Sequence, residues 1–331
     1  MPPPRRTSWP ADPRLIPSFW CNANAEEAAQ FYAAAIPGAG VGSIVRYPTE
    51  GLLDFQKPMA GQPLTVDVEL PGLRVSLINA GPEFRPNPSV GLMATFEPSA
   101  YGSVEAAGAA LDAVHDALID GGSTLMPLDA YPFAPRYAWV EDRFGVSWQL
   151  MVGRSAEGAP HDAPTSDADA SVADSAAQPT VIPALMFCGD AQNRCTEATD
   201  LYVRTLPGSR VIARHTYPQA TGPATADSVM FSLVELTGQP VAAMDSGVEQ
   251  SFTFTEGGSL IARADGQAQL DAWWAALSSV PESEQCGWCK DAHGLSWQIV
   301  PANLDELMTA PGAYGRLMGM GKIDIETLRG E

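Results

Sequence analysis

Hydrophobic and polar residues alternate along the chain with a period that changes in the same order more than once. In the second half, an apolar run at 182–188 leads into a helix-like segment that ends at Leu206, before Pro207-Gly208. The segments with strand-like alternation that follow are 210–217, 228–236 and 240–244. This order predicts a β-α-β-β-β module.

The same half contains a second, weaker pattern of this kind. It predicts a strand at 251–255 and a helix at 267–277. A closing hairpin is then expected from 286–290 and 295–300, around the turn-like segment 291–294. Each half of the chain is therefore expected to hold two βαβββ-like modules.

The first half has matching helix-like segments at 24–35 and 104–120, and the second of these ends at Gly121-Gly122, as at a helix C-cap. Beyond the last predicted strand, 304–308 and 313–320 have the pattern of short amphipathic helices. We expect these two helices to pack over a sheet.

Short strings of residues recur in the two halves in the same order. Ile36-Pro37-Gly38 matches Leu206-Pro207-Gly208, and Tyr47-Pro48 matches Tyr217-Pro218 at the same spacing. Further matches are Ile16-Pro17 with Ile182-Pro183, Val68-Glu69-Leu70 with Val234-Glu235-Leu236, and Gly145-Val146-Ser147-Trp148-Gln149 with Gly294-Leu295-Ser296-Trp297-Gln298. Several matches in one register indicate a tandem duplication of a whole domain.

A segment of unusual composition lies between the two copies. Residues 154–179 are mostly Ala, Ser, Asp, Pro and Gly, which cannot bury enough apolar surface to offset their ordering entropy. The sequence predicts domains at 14–153 and 180–331, joined by a disordered acidic linker at 154–179. The formal net charge of −20 argues against nucleic acid and anionic membranes as partners.

The cysteine content and the lack of long apolar segments bear on where the protein is located. Its five cysteines are an odd number scattered over 331 residues, which favours reduced thiols in a cytoplasm over a disulfide framework. No apolar run reaches the roughly 18 residues of a membrane-spanning helix, and Arg5 and Arg6 precede no apolar signal segment. We expect a cytoplasmic protein.

The residues resemble a known family. The segment from Gln285-Cys286-Gly287-Trp288 to Pro301 and the tail 318–325 resemble the PhnB-like branch of the vicinal oxygen chelate superfamily, also termed 3-demethylubiquinone 3-methyltransferase-like. The first copy carries the corresponding ending at 139–149. The resemblance implies an α+β fold in which paired βαβββ modules form a cup-shaped mixed sheet with helices on the convex face. A ligand would lie in the cup.

Metal-dependent relatives hold a divalent ion with His and Glu side chains on facing strands. The resemblance puts the first of these positions near Ser18 and Ala184, and the last at Gln149 and Gln298. The strand that opens each second module offers Ser89 or Val90, and Gln250 or Ser251. Neutral side chains do not supply the roughly three donors that a catalytic metal needs, so no metal and no cofactor is expected.

Other chemical motifs have simpler structural explanations. Gly38-Ala39-Gly40-Val41-Gly42 follows a predicted helix, whereas a nucleotide loop precedes one, so we interpret it as a helix stop and turn. Cys286 and Cys289 are interpreted as two unlinked thiols in a strand. Trp148 and Trp297 are expected in the core beneath the helices.

The candidate ligand-binding residues are those expected to line the cups, with no catalytic residue assigned: Ser18, Trp20, Asn79, Phe84, Gln149, Met186, Met244, Gln250 and Gln298. Gln149 and Gln298 either hydrogen-bond a polar group of the ligand or satisfy backbone groups of a neighbouring strand. Copy two lacks an aromatic residue matching Phe84, so the two cups need not bind the same molecule.

The expected function is binding of a small organic molecule, with any reaction unassigned. One alternative is a lyase, isomerase or dioxygenase with an atypical metal set, rather than a true methyltransferase. Another is a sequestering, resistance-type or regulatory binding protein, for which an apolar cup with a few amides is sufficient. The two domains are expected to pair as an intramolecular pseudo-dimer, or the chain to form a homodimer.

Overall fold

A computed structural model describes residues 13–153 and 177–330. The predicted linker at 154–179 lies mostly outside the described residues. None of the helices in the described ranges is long and apolar enough to cross a bilayer.

The first half of the chain forms two modules in sequence. The first consists of β1 (Leu15–Cys21), α1 (Ala25–Ala35), β2 (Gly40–Arg46), a 3-10 helix (Asp54–Met59), β3 (Pro63–Leu70) and β4 (Leu73–Asn79). The second consists of β5 (Val90–Phe96), α2 (Pro98–Tyr101), α3 (Val104–Leu118), β6 (Ser123–Tyr131), β7 (Ala134–Glu141) and β8 (Ser147–Val152).

The second half repeats this order. Its first module consists of β9 (Thr180–Phe187), a 3-10 helix (Gly189–Ala191), α4 (Cys195–Thr205), β10 (Arg210–Thr216), β11 (Val229–Leu236) and β12 (Gln239–Asp245). Its second module consists of β13 (Gly258–Ala264), α5 (Gln267–Leu277), a 3-10 helix (Pro281–Ser283), β14 (Trp288–Lys290) and β15 (Ser296–Pro301). The short helices α6 (Leu304–Leu307), α7 (Ala313–Met318) and α8 (Ile325–Arg329) follow.

The predicted α+β class, with two open mixed sheets and covering helices, is confirmed. Within the described residues, sheet A has the strand order β14-β15-β13-β1-β4-β3-β2, and sheet B has the order β10-β11-β12-β9-β5-β8-β7-β6. Each sheet therefore takes one module from each half of the chain, where the sequence analysis assigned both modules of one half to one cup.

Strand pairing explains this exchange of modules. β1 pairs antiparallel with β13, and β5 pairs antiparallel with β9, so the first strand of each module completes the sheet of a module from the other half. Segments 80–89 and 246–257 carry the chain from one sheet to the other. Without this pairing, the backbone N–H and C=O groups along one edge of β1, β13, β5 and β9 would have no hydrogen bonds.

The helices cover one face of each sheet, and the core lies beneath them. Trp148 and Trp297 are fully buried there, as predicted, and they contact Tyr32 of α1 and Tyr202 of α4 at ring-centroid distances of 5.5 and 5.0 Å. Burying such large aromatic side chains stabilises each contact by several kcal/mol, on the order of 25 cal/mol for each Å² removed from water. We call the opposite face of each sheet its inner face.

The predicted strand at 251–255 is wrong, because β13 begins only at Gly258. The Thr-Phe alternation of this segment resembles a strand, but the segment crosses between the sheets. Side chains hold it there: the Asn87 amide donates to the Thr253 carbonyl at 3.0 Å, and the Thr253 hydroxyl donates to the Cys188 carbonyl at 3.0 Å.

The C-terminal helices pack at the edge of sheet A, next to β14. The Gln285 side chain donates to the carbonyl of Met318 at 2.8 Å, and the backbone N–H of Cys286 donates to Met320 at 2.7 Å. On the far side, Tyr314 of α7 contacts Tyr47 at 6.3 Å between ring centroids. The tail therefore connects the two outer ends of this sheet.

Candidate functional site

Three of the predicted residues meet on the inner face of sheet A. Ser18 and Trp20 are two residues apart in β1 and therefore lie on the same face. Gln298 of β15 donates its amide N–H to the hydroxyl of Ser259 at 3.0 Å. Ser259 lies directly opposite Ser18 in the β1–β13 pair. Phe84 packs edge-on against Trp20 at 5.0 Å and closes this region from the side.

Asn79 and Gln250, by contrast, do not line a cup. Asn79 points to the helix side of β4, where its Oδ1 accepts from the N–H of Ala25 and its Nδ2 donates to Pro63, both at 3.0 Å. It therefore fixes the start of α1. Gln250 lies in the crossing segment, where its amide donates to the Ser246 hydroxyl at 3.3 Å, and the residue of β13 that lies opposite Ser18 is Ser259.

The other predicted residues lie on the inner face of sheet B, where sulfur and aromatic side chains dominate. Two neighbouring clusters form the face, and both include Met151 and Met244. The further large apolar members of these clusters are Met93, Met126, Met186, Leu125, Ile182, Tyr131, Tyr137, Trp139, Phe231 and Phe252. Thioethers adapt to irregular shapes and pack favourably on rings, so this face suits an apolar, aromatic ligand.

Gln149 supplies a polar group within this apolar face. Its Oε1 accepts from the hydroxyl of Tyr137 at 3.1 Å, and its Nε2 lies 3.9 Å from the sulfur of Met244. Burial raises the pKa of Tyr137 well above its usual range, so this hydroxyl stays protonated and remains a donor. The amide is thereby oriented with its N–H groups toward the face, where a thioether is only a weak acceptor.

A hollow lies where the end of β1, the crossing segment 80–89 and the β7–β8 turn meet. It has a volume of about 260 Å³ and is lined by Trp20, Phe84, Arg85, Arg143 and Phe144 among others. The guanidinium of Arg143 sits over the Phe31 ring at 4.4 Å. This hollow opens next to the side of sheet A that Phe84 covers.

The superfamily's divalent metal does not fit the side chains present. In sheet A the corresponding positions hold Ser18, Ser259 and Gln298, and Gln298 already donates to Ser259. In sheet B they include Ala184 and Gln149, whose amide oxygen is engaged by Tyr137. No group of three or more His, Cys, Asp or Glu residues suited to a metal occurs within 13–153 and 177–330. Three anionic or imidazole donors are the usual requirement.

The glycine-rich segment and the cysteine pair have structural roles. α1 ends at Ala35, Gly38 turns the chain with φ of +82°, and β2 begins at Gly40. Cys289 lies buried in β14, whereas Cys286 lies before this strand with its sulfur 3.5 Å from that of Met318. All five cysteines are free thiols.

His293 is a residue whose environment the sequence did not reveal. It lies in the predicted turn but is 6% exposed, and its Nε2 is 3.4 Å from Glu197 of α4. Only the packing of α4 against the β14–β15 turn buries it. The strand-like alternation at 286–300 predicts a hairpin there but does not indicate that α4 covers its turn.

A comparison with protein families finds a match in both halves of the chain. The model of the 3-demethylubiquinone-9 3-methyltransferase family matches residues 13–151 and 179–300, which is more than half of the chain. The chain belongs to this family. Its members include PhnB-like proteins, and the two matched segments coincide with the two halves of the duplication.

Two solved structures align with part or most of the chain. A PhnB protein from Bacillus cereus is 27% identical and aligns over 42% of this chain and 98% of its own, with a TM-score of 0.34. Glyoxalase I from Zea mays is 10% identical and aligns over 89% of this chain and 93% of its own, with a TM-score of 0.47. No curated protein matches the chain.

Proposed function

We propose that this PhnB-like protein binds a small, neutral aromatic molecule on the inner face of sheet B. Gln149 hydrogen-bonds an oxygen of that molecule, and no metal ion takes part. The orientation of the Gln149 amide by Tyr137 is the observation that carries this proposal. An amide fixed in this way selects a carbonyl or ether oxygen in an otherwise apolar site.

The shape of the surroundings supports an aromatic ligand. Tyr137 contacts Tyr131 at 5.5 Å and Phe133 at 5.0 Å between ring centroids, and Phe133 is 48% exposed at the rim. Offset and edge-to-face ring contacts with such side chains contribute about 0.5 to 1.5 kcal/mol each beyond the buried area. The indole N–H of Trp139 donates to Ser147 at 2.7 Å, so this ring is held in place for contact.

The test uses 6-propionyl-2-(dimethylamino)naphthalene, a neutral aromatic ketone whose emission shifts to the blue in apolar surroundings. Titration into the whole protein should give a saturable blue shift. Gln149→Leu keeps the apolar volume and removes the donor, so its Kd should rise about five- to tenfold, as expected for one hydrogen bond of about 1 to 1.4 kcal/mol.

Gln298→Leu is the matched control, because Gln298 occupies the corresponding place in sheet A. It should leave the affinity within about twofold. Equal weakening by both substitutions would refute the assignment to sheet B, and so would a titration of the wild-type protein with no saturable signal.

We also propose that the protein works in a reducing compartment such as the cytoplasm. Burial raises the pKa of Cys21, Cys188 and Cys289 to about 12, so these thiols are poor nucleophiles and are suited to packing. All five cysteines are free thiols, which is the state that a reducing compartment maintains.

A further inference from the structure

A row of polar side chains crosses the inner face of sheet A from strand to strand. The backbone register places its members directly opposite one another on six neighbouring strands, from β3 through β4, β1, β13 and β15 to β14. In that order the row is Asp67, Ser76, Ser18, Ser259, Ser296 and Lys290. We call it the serine row.

Sheet B provides an internal comparison, because duplication places the same row there. The corresponding residues are Leu233, Ala242, Ala184, Gly91, Ser147 and Glu141. Small side chains are thus used at the centre of both sheets, but the row in sheet A holds four hydroxyls and the row in sheet B holds one, that of Ser147. Ala242 and Ala184 fill the places of Ser76 and Ser18 without a hydroxyl, so packing does not account for the hydroxyl groups in sheet A.

Two of these hydroxyls have no partner. Ser18 is 2% exposed and Ser296 is 1% exposed, and within residues 13–153 and 177–330 neither Oγ has a hydrogen-bond partner. Burying an unpaired hydroxyl destabilises the folded state, so native proteins rarely retain one without a use. Ser147, the counterpart of Ser296 in sheet B, accepts a bond from the Trp139 indole at 2.7 Å. Of these two matched serines, the one in sheet A is the unpaired one.

Aromatic rings lie over the serine row. Trp20 belongs to β1 and Trp288 to β14, which are separated in the sheet by β13 and β15. Their rings nevertheless approach to 6.0 Å between centroids, so they extend across the inner face toward each other. Phe84 completes the group at 5.0 Å from Trp20, whose indole N–H donates to Gly81 at 2.7 Å.

The charged groups at the two ends of the row already have partners. Asp67 accepts from the hydroxyl of Ser43 at 2.6 Å, and Lys290 forms an ion pair with Glu256 at 2.8 Å. What remains without a partner is a pair of neutral groups that can both donate and accept. A neutral ligand with several hydroxyls matches this set better than an ion.

We propose that the serine row is a second binding site, in which the rings of Trp20 and Trp288 move apart and a small neutral polyol binds between them and the buried hydroxyls of Ser18 and Ser296. Adjacent strands are about 4.8 Å apart, so these two serines, two strands apart, are spaced for a ligand of roughly sugar size. C–H faces of such a ligand pack on indole rings. The site extends the proposed function by assigning sheets A and B to ligands of different chemistry.

The test is saturation-transfer NMR on the whole protein with D-xylose as the probe and choline as a charged comparison. We expect transfer to xylose and none to choline. In the double variant Ser18→Ala and Ser296→Ala, the xylose signal should fall at least fivefold, while binding of the aromatic ketone to sheet B stays unchanged. Absence of transfer to xylose, or an undiminished signal in the double variant, overturns the proposal.

Thermal unfolding separates a binding role from a structural one. Ser296→Ala removes an unpaired hydroxyl and should leave the Tm unchanged or raise it by about 1 to 3 °C. Ser147→Ala, the matched change in sheet B, removes the acceptor of the Trp139 indole and should lower the Tm. A clear fall in Tm for Ser296→Ala would show that its hydroxyl has a structural partner, and would overturn the proposal even if xylose bound.

Discussion

Replacement of Asp291 by alanine should destabilise the protein strongly, although this residue lies outside both inner faces. Asp291 is 1% exposed at the turn between β14 and β15. One carboxyl oxygen accepts from the backbone N–H groups of His293 at 2.8 Å and Leu295 at 3.2 Å. The other accepts from the Trp297 indole at 2.9 Å and the Tyr202 hydroxyl at 2.7 Å. The group thus joins α4 to the hairpin that carries Gln298.

The magnitude follows from the donors that the substitution leaves without an acceptor. The Trp297 and Tyr202 side chains are fully buried, and each unpaired buried donor costs about 1 to 3 kcal/mol. The two backbone groups at the turn add a smaller amount, because the turn can open toward water. We expect Asp291→Ala to lower the free energy of unfolding by about 3 to 5 kcal/mol.

Urea unfolding followed by both circular dichroism and tryptophan fluorescence measures this change. Tyr202→Phe removes one of the two side-chain donors and should lower stability by about 1.5 kcal/mol. Because both changes act on one hydrogen bond, the double variant should be less destabilised than the sum of the two singles. A loss below about 1 kcal/mol for Asp291→Ala, or strict additivity, would refute this account of the junction.

Four further outcomes are expected. Gly91→Ala should lower stability by about 1 to 3 kcal/mol in thermal melts, because its β-carbon would lie 2.8 Å from the Ser147 carbonyl; an unchanged Tm would contradict this. Burial raises the pKa of Asp142 to about 6, so the folded state binds this proton more tightly than the unfolded state, and stability should rise as pH falls from 7 to 4. Relative to Asp142→Asn, the wild type should gain about 2 kcal/mol over that range in urea titrations, and parallel curves would count against the shift. With an aromatic disulfide reagent at pH 8, the half-buried Cys286 should react first of the five thiols, and a Cys286→Ser variant that keeps the fast labelling phase of the wild type would disprove this. A fragment of residues 14–153 leaves the edges of β1 and β5 without partners and should dimerise in sedimentation experiments, and a stable monomer would argue against the pairing.

Local pattern was enough to find the elements and the duplication. The helix predicted at 267–277 is α5 with the same bounds, and the predicted core positions of Trp148 and Trp297 are confirmed, because both follow from the periods of helix and strand. The pattern failed at 251–255, where β-like alternation occurs in a segment that no neighbouring strand pairs with. Alternation records which side chains can share a face, and pairing depends on what lies beside the backbone.

The candidate site shows the same division between sequence and tertiary structure. Sequence alone named Ser18, Gln149 and Gln298 as residues facing a cup, and the structure places each on an inner face. It did not predict that Gln149 and Gln298 belong to sheets of opposite character, nor that Ser18 lies in a row with Ser296. Strand β1 pairs with β13, which lies more than two hundred residues further along the chain, and all four modules share one pattern. Since modules of like pattern can pair in several ways, the local sequence determined what each module is, and only the packing of the whole chain decided which modules share a sheet.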